Sequence, residues 1–149
     1  MSKRIVNHSV RTPSLRQLAL FRYQLRRFLR FSERAARACG VTPQQHQLLL
    51  GLAGYGQNGS ATISEMAEFL QERHNAVVGL VKRAASRGLV RKERSKNDHR
   101  VVRVSITSLG MQKLKKLTQL HIQELKQLRA RVPNGIGLRP RVLKRSQEA

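Results

Sequence analysis

The run Thr62, Ile63, Ser64, Glu65 constrains this chain more than any other four residues. A hydroxyl followed three positions later by a carboxylate is a capping box, in which the two side chains satisfy orphan amides at a helix start. A helix is therefore predicted from this point. Ile63, Met66, Ala67 and Leu70 recur at the three- and four-residue steps of one buried face, and Glu65, Glu68 and Glu72 occupy its polar side. Gln71 to Asn75 is too polar to continue that face and predicts a tight turn. Val77, Val78, Leu80 and Val81 then resume helical spacing in a second helix, from about Arg73 to Arg87, which Gly88 stops.

From Leu89 the period changes to two. Leu89 to Arg94 reads as one strand, and Val102, Val104 and Ile106 alternate with Arg103 and Ser105 in a returning strand. Ser95 to His99 supplies the polar turn between them. Arg94, Lys96 and Arg100 crowd like charge at the tip of this hairpin, where a phosphate backbone would neutralise it. Two short helices followed by a basic hairpin is the plan of a winged helix-turn-helix.

Long helices are predicted on either side. Leu18, Phe21, Leu25, Phe28, Ser32, Ala35 and Cys39 form one stripe before Gly40, with Arg22, Arg26, Arg27, Arg30 and Arg34 on other faces. Thr42, Pro43 and Gln45 then supply a cap, a first-turn proline and the second half of a capping box. Leu48, Leu49, Leu50 and Leu52 are expected as core contacts of the helix that follows, and Gly54 to Gly59 as a flexible connection. After the hairpin, Thr107 or Ser108 caps a helix with a stripe of Leu114, Leu117, Leu120 or His121, Leu125 and Leu128, reaching about Arg131. That stripe is longer than one winged helix covers, so a second copy of the chain is expected against it.

The expected organisation is mainly α with a small β-hairpin wing (α+β). A basic arm occupies 1–13, a first dimerisation helix 14–40, a winged helix-turn-helix 41–107, a long dimerisation helix 108–131, and a basic, shortened segment 132–149. Val132 to Gly137 breaks the last helix there.

Thirty Lys and Arg against eight Asp and Glu give a formal charge of +22 over 149 residues, which points to a polyanionic partner. No stretch approaches the roughly twenty apolar residues of a membrane span, and the N-terminus lacks a secretory apolar block, so the cytoplasm is the expected compartment and no membrane partner is expected. One cysteine, Cys39, excludes an internal disulfide framework. Asp98 is the single aspartate, and no nucleophile motif or phosphate-cradling glycine loop is present, so an enzyme is not expected.

The chain resembles the MarR family of transcription regulators in several places. These are Ile63 to Leu70, Leu80 and Val81, Arg87 to Val90, Arg94, Asp98 with Arg100, and Ile106 and Thr107 with Gly110, within a similarity of roughly Leu15 to Leu128. The resemblance implies a homodimeric, sequence-specific regulator of double-stranded DNA, repression being the family's commoner mode. It places Asp98 as the brace of Arg100, which would enter a minor groove. It also implies a small aromatic or phenolic effector, for which Phe28, Ser32, His46 and Leu49 are candidate contacts, each equally explained as packing. The last segment departs from the family pattern, because 132–149 is basic where members turn into a further apolar helix.

On this reading Arg73, His74 and Asn75 approach base edges in the major groove, with Arg suited to guanine and Asn to adenine. Lys82, Arg83, Arg91, Lys92 and Arg94 fix register on phosphates. The same basic residues also suit an ordinary solvated surface, and +22 alone also permits a sequence-indifferent packaging or RNA-binding protein. Cys39 is a redox-sensor candidate only by resemblance, since a lone Cys on an apolar stripe is commonly a small buried hydrophobe. His121 and Glu124 have metal-compatible spacing, but two ligands do not make a site. No metal or cofactor is expected.

Overall fold

A computed structural model of the chain describes residues 14–132. The expected N-terminal arm and the basic segment beyond Val132 lie outside the described residues. The order of elements is α1 (Leu15–Ala38), α2 (Pro43–Gly54), β1 (Ser60–Thr62), α3 (Ile63–Leu70), α4 (His74–Ser86), β2 (Val90–Arg94), β3 (Val102–Ile106) and α5 (Ser108–Arg131).

Local chemistry starts the helices where the side chains allow it. Ser14 with Gln17, Thr42 with Gln45 and Thr62 with Glu65 each form a reciprocal capping box. Thr107, and not Ser108, caps α5: its hydroxyl oxygen accepts the Gly110 amide at 3.1 Å. Gln71 ends α3 in the left-handed region at φ 53° and turns the chain towards α4.

The centre of the packing is α2, which rests on α1, α3, α4, α5, β1 and β3. Leu48, Leu49 and Leu52 of α2 are fully buried, together with Met66, Val81, Val104 and Leu117 from four other elements. Each such side chain removed from water contributes roughly 1.5–3 kcal/mol, so α2 ties the long helices to the winged helix. Gly110 lets α5 settle onto this core. A Cβ there would meet the Leu89 carbonyl oxygen and, at 3.0 Å, the side chains of Ile106 and Leu49.

Three features differ from the sequence reading. The connection after α2 contains a short strand, β1, which pairs antiparallel with β3 through Ala61 and Val104, so the sheet has three strands in the order β1-β3-β2. Leu50 is exposed, because Leu48, Leu49 and Leu52 already complete the buried arc of α2. Val78 is 44% exposed for the same reason on α4, where Val77, Leu80, Val81 and Ala84 face inward. The alternative left open on α5 is settled as well: His121 takes the inward position, while Leu120 is exposed.

Candidate nucleic-acid interface

The basic residues of the winged-helix lobe lie on α4 and on the β2–β3 hairpin, whereas α3 contributes only the acidic Glu65 and Glu68. Arg73 is the N-cap residue of α4 and forms no side-chain cap, so its guanidinium is not used by the helix start. His74 and Asn75 open α4 and are exposed. At 100° per residue, the face opposite Val77, Val81 and Ala84 runs through Asn75, Gly79, Lys82 and Ser86, flanked by Ala76 and Arg83. Asn75, Lys82 and Arg83 therefore share the outward face. Arg73 and His74 are exposed at the helix start, ahead of the arc that carries Val77 and Val81 rather than on this face. Gly79 keeps the middle of the outward face thin and Ala76 its flank, so the helix backbone can approach a groove closely.

The hairpin divides its own charges. In an antiparallel pair, residues directly opposite each other share a face. Lys92 opposes Val104, and Arg94 opposes Val102, so both basic side chains leave from the sheet face that carries the core. Together with Ile63, Val78, Val81 and Val102 they line a cavity of about 380 Å³ between the hairpin and α4. Arg91 opposes Ser105 and Glu93 opposes Arg103, which puts Arg91 on the other face. The basic strand residues thus form two groups, and only Lys92 and Arg94 stand beside α4.

At the tip, Asp98 organises the turn around Arg100. One carboxylate oxygen accepts the Arg100 amide at 3.0 Å and the Arg100 Nε at 3.3 Å. The Asp98 carbonyl also accepts the Val101 amide, and Ser95 donates its amide to the Val101 carbonyl. The Arg100 side chain is 93% exposed, so this ion pair contributes little to stability, roughly 0–1 kcal/mol. Its effect is geometric: it orients an otherwise free guanidinium at the end of the hairpin.

A residue without an assigned role in the sequence reading ties this lobe to the long helices. Arg87, just past α4, donates to the Gly40 carbonyl at 2.6 Å and to the Gln45 side chain at 3.2 Å. Lys113 of α5 donates to the Cys39 carbonyl at 2.8 Å. Both cations cap the C-terminal end of α1, where the helix dipole favours positive charge. Their partners lie 47 and 74 residues away, so no local pattern signals them. Cys39 itself is the half-buried C-cap residue of α1.

Three of the four candidate effector contacts meet around His121. Its Nδ1 donates to the Leu117 carbonyl at 2.7 Å, which leaves Nε2 to accept the Ser32 hydroxyl at 2.8 Å. The rings of Phe28 and Phe31 stand edge-on to it at 5.9 and 5.4 Å, and His46 lies 4.8 Å away. His46 is 3% exposed and its Nδ1 is buried without a hydrogen-bond partner. Burial, with a smaller contribution from His121, lowers its pKa from 6.5 to about 4. Leu49 does not join this group; it is buried against the start of α5. His121 thus serves a junction of α1, α2 and α5. No cluster of three or more metal-ligating residues occurs among the described residues, and no described helix is long and apolar enough to cross a membrane.

Comparison with known proteins agrees with this geometry. Residues 40–101 match the model of the MarR family, and no curated protein matches the chain. Wild-type MarR from E. coli in its apo form shares 19% identity at a TM-score of 0.66, over 83% of this chain and 88% of that one. AbsC, a MarR family transcriptional regulator from Streptomyces coelicolor, shares 19% at 0.65, over 79% and 81%. A mutant MarR from E. coli complexed with operator DNA shares 19% at 0.66, over 80% and 84%. At these identities the shared property is the fold. Residues 40–101 therefore carry the MarR-family sequence pattern, on the winged-helix fold of MarR regulators.

Proposed function

We propose that this protein is a sequence-specific, double-stranded DNA-binding transcription regulator that acts as a homodimer on an inverted-repeat operator. The observation that carries the reading is the alignment of an outward polar α4 face with a hairpin whose tip arginine is oriented by Asp98. In this reading Asn75 and the neighbouring Arg73 and His74 approach base edges, and Lys82, Arg83, Lys92 and Arg94 hold phosphates. Arg91 contacts phosphate only where the duplex reaches the outer hairpin face. Arg100 enters the adjacent minor groove. The operator-bound MarR structure supports the assignment of DNA as ligand, because it shares this fold.

Dimerisation is proposed through the long helices, whose exposed Leu15, Leu18 and Leu29 on α1 and Leu120, Ile122 and Leu125 on α5 remain to be covered. The dimer sets two α4 helices about one turn of B-DNA apart, which gives the operator its symmetry. Repression is the proposed sign of control. An aromatic or phenolic effector, bound where Phe28, Ser32 and His46 meet His121, would release DNA only by favouring a different spacing of the two α4 helices.

Selection of bound sequences from a random duplex pool at roughly 150 mM salt tests the reading, because nonspecific attraction to so basic a chain is then reduced. An enriched inverted repeat is the expected result. Tight binding without enrichment overturns it in favour of a sequence-indifferent packaging or RNA-binding protein.

A further inference from the structure

The long helix α1 carries seven arginines, no lysine and one acidic residue, Glu33. Its buried side, Ser32, Ala35 and Ala36, packs on α2 and α5. Arg22, Arg26, Arg30 and Arg34 recur every fourth residue on the opposite side, and all four are exposed. Among the described residues the one ion pair is Arg100 with Asp98, so this row has no acid to neutralise it. Like charges four residues apart destabilise a helix, and a merely solvated face would tolerate lysine or acidic residues equally well. The guanidinium differs from ammonium in its planar fork, which matches phosphate oxygens.

The row also lies apart from the α4–hairpin surface. Both α1 and α4 pack on α2, and they share no substantial packing with each other. The arginine row lies on the side of α1 away from the residues that pack on α2 and α5. A like-charged second copy of α1 is a poor cover for the row; of the exposed apolar residues of α1, Leu18 and Leu29 lie on its flank, while Leu15 and Tyr23 fall among the arginines. Four positions at about 6 Å steps make a row of roughly 18 Å, a length over which one strand of duplex DNA presents about five phosphates.

We propose that the outward face of α1 is a second phosphate-binding surface, on which Arg22, Arg26, Arg30 and Arg34 hold the backbone of a DNA duplex other than the one bound by α4 and the hairpin. The chain thereby bridges two duplexes. This goes beyond the operator-binding function and does not require it.

The test is capture of a fluorescent random-sequence duplex by full-length protein loaded on an immobilised duplex, at roughly 150 mM salt. One arm immobilises the selected operator and a parallel arm a random sequence, so the α1 face is read whether or not α4 has a preferred site. The combined R22Q, R26Q, R30Q and R34Q variant should lose capture at least tenfold and hold the immobilised duplex within about twofold. Its capture should also lose about 3 to 4 units of log–log salt slope. Capture equal to that of the unaltered protein overturns the proposal. Phenylglyoxal modification of the unaltered protein supplies a second reading that needs no variant: the second duplex should protect these four arginines, and absence of protection overturns the proposal. Tighter competition by single-stranded RNA or by polyglutamate than by duplex DNA overturns the assignment of the occupant.

Discussion

The α4–hairpin lobe and the α1–α2–α5 junction use polar side chains in opposite ways. In the lobe, Asn75, Lys82, Arg83 and Arg100 are exposed, and of these four side chains hydrogen bonding orients the guanidinium at the tip. At the junction, Ser32, His46 and His121 are turned inward, and one imidazole nitrogen of His46 is left without a partner. Polar groups prepared for a ligand are cheap to leave in water, whereas buried ones bind the fold to their protonation state. The first region is therefore sensitive to DNA and salt, and the second to packing and pH.

The largest expected effect breaks the junction. Leu117 is fully buried, and Leu117→Ala should lower the unfolding free energy by about 2–5 kcal/mol, measured by denaturant titration. Acid should act through His46. Its pKa in the folded chain is about 4 against 6.5 when exposed, so the unfolded chain takes up the proton first as pH falls. Stability should be complete above pH 6.5 and decline towards pH 4, by at most on the order of 3 kcal/mol. Urea titrations from pH 7 to 4 should show this slope, and His46→Leu should remove it; an unchanged slope in that variant contradicts the assignment.

Arg87→Ala sharpens the contrast, since it severs the link between the two regions. Losing its hydrogen bonds to Gly40 and Gln45 should cost about 1–3 kcal/mol of stability and should weaken operator binding less than Arg100→Ala does. The smallest effect on the fold belongs to the lobe. Arg100→Ala should change stability by less than about 0.5 kcal/mol, yet cost about 1–3 kcal/mol of specific binding by equilibrium titration. Asp98→Ala should reproduce part of that loss. Within the hairpin, Arg94→Ala should flatten the salt dependence by about 0.9, and Arg91→Ala by less, because Arg91 leaves from the far face.

The same contrast explains what the residues disclosed before the structure. Helix starts were legible because a capping box is a three-residue relation, as at Thr42 and Thr62. The hairpin was legible from its period of two and its polar turn. β1 was not, since three residues show no period and its partner Ser105 lies 45 positions from Ser60. The inward turn of His121 was left open beside Leu120, because its reason is Ser32, 89 residues away. Val78 shares the helical run of Val77, Leu80 and Val81 but stays outside the core, because the arc completed by Val77, Leu80, Val81 and Ala84 leaves it at the surface. Gly79 in the outward face of α4 and Ala76 at its flank give no signal in the sequence, because their contribution is an absence of bulk.

Chemical footprinting on a selected operator, with unaltered protein, Asn75→Ala and Arg100→Ala side by side, tests most directly whether α4 and the hairpin divide the work of recognition. Asn75→Ala should lose protection at major-groove positions within each half-site, and Arg100→Ala should lose it only in the flanking minor groove. Identical footprints for all three proteins, or the same loss in both variants, would contradict this division of work.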